Sequence, residues 1–196
     1  MKLLAFSDLH VDKAASQALV EAGREADLVI GAGDFAQMHE GLGEVMGWLA
    51  PLDAKAIYVP GNNETFEALT AATKATVLHG TTTERDGLRL AGIGCAIPEL
   101  PPMAWGSVDL SEDEAAEMLE AFGAADILIS HSPPHLACDR HAKMGPIGSK
   151  ALRAAIERIT PPLVLCGHVH DCWGQEAWIG ESRVRNLGPS INWFEV

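Results

Sequence analysis

Short apolar runs alternate with helical patterns along the whole chain. Lys2–Phe6, Asp27–Ala32 and Ala56–Val59 each hold a continuous apolar stretch too short for a helix, the reading of a strand buried on both faces. Between them, Lys13–Arg24 and Leu42–Leu49 read as helices, and a further helix begins at about Glu64. Thr76–Leu78 and Leu88–Ile93 read as short strands. Ser111-Glu112-Asp113-Glu114 is a capping box, because Ser111 and Glu114 can each accept from the other's free backbone N–H; the acidic helix it opens runs to about Phe122. A strand at Asp126–Ser130, a helix at Lys150–Ile159, a strand at Leu163–Cys166 and two strands near Glu176–Ile179 and Val184–Leu187 complete the order. Strands alternating with helices predict an α/β fold. The close spacing of strands in the middle and at the end predicts a second, more antiparallel sheet. Ile97–Asp109 and Ser132–Gly148 read as long loops, which in a compact domain are usually functional. With no repeat or linker, residues 1–196 read as a single domain.

Composition adjusts this picture in three ways. At 47% apolar and 21% charged residues, the chain has the makings of a globular core without disulfide staples. A net charge of -13 repels polyanions and leaves no basic groove, so no nucleic-acid partner is expected. Nor are the tryptophans interleaved with basic residues as a base-stacking platform requires. A small phosphate held at a local positive centre remains compatible with that charge. The N-terminus lacks the apolar region and cleavage site of a signal peptide, and no apolar run approaches the ~18 residues of a membrane span. The expected location is cytoplasmic, with no membrane partner. Cys95, Cys138, Cys166 and Cys172 form no C-x-x-C pair and are expected as reduced thiols.

The polar residues cluster where the strands end. Asp8 and His10 follow the first strand, Gly33-Asp34 the second and Gly61-Asn62-Asn63-Glu64 the third. His131 follows Asp126–Ser130, and Gly167-His168-Val169-His170 follows Leu163–Cys166. In open α/β sheets that edge is where ligands bind. Asp8, His10, Asp34, Asn62, His131, His168 and His170 offer carboxylate, amide and imidazole donors and no thiolate. The set is too large for one tetrahedral zinc. It suits two divalent metals sharing a carboxylate. Glycines before Asp34, Asn62 and His168 allow the tight turns that such close approach demands.

Asp8-x-His10, Gly33-Asp34, Gly61-Asn62-x-Glu64, His131 and Gly167-His168-x-His170, in this order, resemble the calcineurin-like metallophosphoesterases. Ser130-His131-Ser132-Pro133-Pro134 and Gly148-Ser149 are similar to a small bacterial branch of that family. The resemblance implies a four-layer α/β/β/α sandwich, two mixed β-sheets face to face with helices outside. It implies that Asp8, His10 and His170 bind one metal, that Asn62, His131 and His168 bind a second, and that Asp34 bridges them. The ions are divalent, with Mn, Fe, Zn, Co and Ni all suited to such ligands. The implied reaction is hydrolysis of a small phosphate ester, diester or monoester, by a hydroxide shared between the metals. Two dications with Asp8 and Asp34 leave about +2 at the site, enough to hold a phosphate on an acidic chain.

One position departs from the family. Asn63 stands where the family usually has His, the group that helps protonate the leaving oxygen. An amide donates a hydrogen bond but transfers no proton at physiological pH. Asn63 is therefore a candidate substrate-facing residue, or a helix N-cap, or both. It is also the one feature favouring another reading, a metal-binding regulatory or scaffold protein that has lost efficient catalysis. Glu64 reads as a first-turn helix acid, and Ser149 as an N-cap. His39 and His79 read as surface or packing residues. His135, Asp139, Arg140 and His141 lie in the loop that leaves His131, and read either as a charged tip near substrate or as a solvated loop. Oligomeric state has no signature in the sequence.

Overall fold

The computed structural model describes residues 1–196. Its first sheet holds β1 (Lys2–Phe6), β2 (Leu28–Gly31), β3 (Ala56–Tyr58) and β4 (Thr76–Val77), all parallel, with β13 (Asn192–Glu195) added antiparallel beside β1. The second has a parallel centre of β6 (Leu88–Ile93), β7 (Ile127–Ser130), β10 (Leu163–Cys166) and β12 (Ser182–Asn186). Its edges, β5 (Thr81–Arg85) and β11 (Glu176–Ile179), are antiparallel to their neighbours. The second sheet is thus the more antiparallel of the two, as the close spacing of its strands predicts, with both edge pairs antiparallel against a single such pair in the first. Helical crossovers join β6 to β7 and β7 to β10, β10 reaches its parallel neighbour β12 by way of β11, and the edge pairs are hairpin-linked, because a parallel neighbour needs a long connection and an antiparallel one does not.

Period-two alternation sorts the strand residues into layers. Leu3 and Ala5 of β1 face the other sheet, where Leu28, Ile30, Ile129 and Leu165 join them in a buried core. Leu4 and Phe6 face the opposite way, onto Leu19 of α1 (Lys13–Gly23), Leu49 of α2 (Leu42–Leu49) and Leu69 of α3 (Phe66–Ala72). On the second sheet, Leu128 and Val164 pack outward against Leu119 of α4 (Glu112–Glu120) and Leu152 and Ile156 of α5 (Lys150–Ile159). The result is the four-layer α/β/β/α sandwich. Truncating one inter-sheet side chain, such as Ile129→Ala, costs about 2–5 kcal/mol.

Helix starts follow their caps. Ser111 accepts from the Glu114 N–H while Glu114 accepts from Ser111, closing the capping box. Ser149 accepts from the Leu152 N–H at 3.0 Å. The third helix begins later than its sequence suggests: its N-cap is Thr65, which accepts from the Ala68 N–H at 3.1 Å. Asn63 and Glu64 lie outside it, free for other work. The loop Ser132–Gly148 contains a small hairpin, β8 (Arg140–His141) and β9 (Gly145–Pro146). All four cysteines are buried and unbridged. No helix is long and apolar enough to cross a membrane.

Candidate metal centre

The loops that leave β1, β2, β3, β7 and β10 converge on one edge of the sandwich. Asp8, Asp34 and His168 adopt left-handed backbone conformations, with φ of 56°, 57° and 67°. Such geometry costs an ordinary residue roughly 1–3 kcal/mol and persists where surroundings fix it. Here the Asp8 N–H donates to the Gly33 carbonyl at 2.9 Å, and the His168 N–H donates to Asp8 Oδ1 at 3.0 Å. Two glycines are required by space. A Cβ on Gly61 would lie 2.1 Å from Asp34 Oδ1, and one on Gly167 would lie 2.5 Å from Asp8 Oδ2.

Two groups of donors result, Asp8 with His10 and His170, and Asp34 with His131 and His168; within each, the ligating atoms all lie within 4.8 Å of one another. His10 Nε2 stands 3.2 Å from His170 Nε2, and His131 Nε2 stands 3.2 Å from His168 Nδ1. Asp34 Oδ2 reaches both groups, at 3.6 Å from His10 Nε2 and 3.5 Å from His131 Nε2. Asn62 Oδ1 lies 3.1 Å from His131 Nε2. All seven positions singled out in the sequence meet here, and Asn63 adjoins them.

The donor chemistry fits bound cations. His131 Nδ1 sits 2.8 Å from the Ala32 carbonyl, a contact that assigns its proton to Nδ1 and leaves Nε2 as a lone pair. That lone pair faces Asn62 Oδ1 and Asp34 Oδ2, which are themselves acceptors. Converging lone pairs repel unless a positive charge stands among them. The amide of Asn62 is held in this sense because its Nδ2 donates to Ser107 Oγ at 2.9 Å, and Ser107 in turn donates to Asp109.

Without cations, protons must serve. Burial opposes charge on His131, yet the Asp34 carboxylate beside it holds that imidazole up at about 9. Burial would raise Asp34 too, but the charge and hydrogen bond of His131, with the charges of His10 and His168, together outweigh it and keep Asp34 below the usual carboxylate range. His168, buried and facing His131, is pushed down to about 3. Burial raises Asp8.

Several residues support the centre through partners distant in the sequence. Glu64 is no helix acid. One carboxylate oxygen accepts from the Asp34 and Gly61 N–H groups at 2.8 and 2.6 Å, and the other accepts from Ala36 at 3.0 Å. It therefore clamps the second metal-edge loop to the third. Asn63 is no N-cap: its Nδ2 donates to Asp34 Oδ2 at 2.8 Å, and its Oδ1 accepts from the Met38 N–H at 2.7 Å. Trp173 Nε1 donates to Asp8 Oδ2 at 3.2 Å, and the indole lies against His170. Ser7 donates to the same carboxylate oxygen.

The other singled-out residues lie apart. His39 meets the Gly106 carbonyl at 2.7 Å and the edge of Trp105, and His79 accepts from the Gly94 N–H at 3.1 Å while stacking on Phe66. Asp139 is not a loop tip but a buried clamp, accepting from Leu136 and Gly148. His135 leans on it at 3.5 Å, and His141 accepts from the backbone of its own turn.

The family model for calcineurin-like phosphoesterases matches residues 1–172. The chain belongs to that family, and is accordingly a metal-dependent hydrolase. No curated protein sequence matches it. Among solved structures it resembles TT1561 of Thermus thermophilus, at 18% identity, TM-score 0.76, and coverage of 98% of this chain and 97% of that one. It also resembles the phosphopantetheinyl hydrolase PptH of Mycobacterium tuberculosis, at 17% identity, TM-score 0.64, and coverage of 96% and 90%. An archaeal phosphodiesterase matches at 18% identity and TM-score 0.53, over 96% of this chain and 84% of its own. At these identities the likeness is one of fold.

Proposed function

We propose that this chain is a dinuclear phosphoesterase that hydrolyses small phosphate esters, diesters or monoesters. The observation that carries the reading is the position of Asp34, one carboxylate oxygen facing an imidazole from each of two separate donor groups. Asp8, His10 and His170 would hold one ion, Asn62, His131 and His168 the other, and Asp34 both. Divalent ions so held supply a water of lowered pKa and positive charge opposite the phosphoryl oxygens. Manganese is the first candidate, with Fe, Zn, Co and Ni also matched to oxygen and imidazole donors.

The chain's own residues orient this centre. Ala32 fixes the His131 tautomer, Ser107 fixes the Asn62 amide, and Asn63 fixes Asp34. Such outer partners are typically worth 10–100-fold in affinity or activity. Asn63 carries no transferable proton, so substrates that release a stable anion, aryl esters or anhydrides, are favoured over alkyl esters. The net charge of -13 supports a small substrate over a nucleic acid. The four unbridged thiols suit a cytoplasmic setting.

The test is a panel of phosphomonoesters, phosphodiesters and anhydrides assayed after chelation and after refilling with each metal. Hydrolysis lost on chelation and restored with two equivalents of metal is the expected result. Two bound metals with no hydrolysis of any member would favour the scaffold reading, for which Asn63 is the one supporting feature.

A further inference from the structure

A concave surface of about 450 Å³ opens between the two long loops, one of which begins at the metal-edge residue His131. Its walls are Pro98, Leu100 and Pro101 from one loop and Met144, Pro146 and Ile147 from the other. We infer that this groove receives an uncharged apolar arm, alkyl or acyl, of the phosphate ester whose phosphoryl group sits at the metal centre; the inference rests on the phosphoesterase reading above.

Both walls are tied to the metal edge. The second loop leaves His131, and His135, only four residues on, lines the groove. Four residues reach at most about 14 Å, so groove and ligand are within the span of one small molecule. The first loop holds Asn62 through Ser107, and the Asp109 carboxylate that accepts from Ser107 also accepts from the Leu100 N–H at 3.0 Å. The loops are joined where the Ile97 N–H donates to Ser132 Oγ at 2.8 Å.

The groove is preformed. Asp139 fixes the second loop through Leu136 and Gly148, and Ser149 exchanges backbone hydrogen bonds with Pro133 and His135. Preorganised walls spare a ligand the entropy of ordering them. The polar groups at the groove do not select an anion. Glu112 is occupied by the Lys150 and Ala151 N–H groups at the start of α5. Glu99 and Glu112 outnumber Lys150, so the lining offers an anionic group no net positive charge to hold it.

The rim adds to the apolar character. Met144, which lines the groove, is 52% exposed, a large apolar side chain left in water on a loop that leaves a metal ligand. Such exposure at a site commonly marks a binding surface. The occupant is a small-molecule arm rather than a membrane, because an anionic lipid surface repels a chain of charge -13 and the apolar walls are concave.

The experiment compares p-nitrophenyl methyl, butyl and octyl phosphates with the manganese-loaded protein. Each fully buried methylene is worth about 0.8 kcal/mol, close to fourfold, so partial burial predicts about two- to threefold in kcat/KM per carbon before a plateau. Leu100→Ser and Met144→Ser should flatten that rise while leaving the methyl ester unchanged. A readout that needs no turnover is the Met144 methyl resonance of the zinc-loaded protein. It should shift with octylphosphonate and not with methylphosphonate. Hydrolysis of all three esters at one rate, a slope that survives both substitutions, or an unmoved Met144 resonance overturns the groove assignment. A moved resonance with none of the esters hydrolysed supports the groove and counts against the phosphoesterase reading.

Discussion

Asn63 Nδ2 donates to Asp34 Oδ2 at 2.8 Å, and that same oxygen faces His10 and His131. The amide thus takes one lone-pair direction of the Asp34 carboxylate and leaves the rest turned toward the imidazoles. Asn63→Asp would set two carboxylates in contact, whereas Asn63→Ala only removes a donor. The expected order of kcat/KM is wild type, then Ala, lower by about 10–100-fold as for other outer partners, then Asp. Metal content per chain, measured alongside, should fall in the Asp variant first.

The same residue predicts a leaving-group dependence. General-acid help is typically worth 10²–10⁴-fold, and it matters most for basic leaving oxygens. The plot of log kcat/KM against leaving-group pKa should therefore be steep for the wild type and shallower for Asn63→His. Equal slopes would show that another group already delivers the proton.

Asp34→Asn should be the costliest ligand change, since each donor group loses a partner. Bound metal should drop below two per chain, with kcat/KM reduced by more than the 10–100-fold typical of outer partners. Elemental analysis with steady-state assays on one preparation decides this. Full occupancy at near-normal rates would remove Asp34 from its bridging role.

Glu64→Gln should leave one of three buried backbone donors without its acceptor. The loss in unfolding free energy should be about 1–3 kcal/mol in urea titrations of the metal-free protein. Glu64→Ala should cost more, because Asp34, Gly61 and Ala36 all lose their acceptor.

A proton balance follows from His131. Its imidazole titrates at about 9 in the metal-free chain and must be neutral at Nε2 to bind an ion. Near pH 7, loading should expel about one proton per chain from this group, falling to none above about pH 9. His168, already neutral, should expel none. Calorimetry in buffers of different ionisation enthalpy reads the count. The folded value lies above the ordinary 6.5, so the stability contributed by this group is complete below that pH and is lost as pH rises through about 9. Metal-free protein should weaken across that window.

Much of the architecture is legible in the chain because its central strands are buried on both faces. KLLAF, DLVIGA and LVLC are apolar runs with chemistry at their ends, and both features survive folding. What escapes is whatever lacks an apolar signature. The edge strand Thr81–Arg85 is polar and exposed, and Asn192–Glu195 is too short to alternate visibly. Glu64 is read as a helix acid and Asn63 as an N-cap or substrate-facing residue, but their partners, Asp34, Ala36 and Met38, lie about 30 positions away. Trp173 is likewise invisible as a support for Asp8, 165 positions distant. Local pattern places each candidate donor at a strand end; the hydrogen bonds that aim the donors belong to the fold as a whole.

The donors divide by sheet. Asp8, His10, Asp34 and Asn62 leave the strands of one sheet, while His131, His168 and His170 leave those of the other. An ion gripped from both sides would work as a clasp at one end of the sandwich, a cross-link added to the apolar interior and the few hydrogen bonds, such as His168 to Asp8, that already join the halves. Amides at that end, Asp8 and His168 among them, should then exchange with deuterium far more slowly once metal is added. Those at the far end, around Lys2 and Leu163, should change only as much as global stability does.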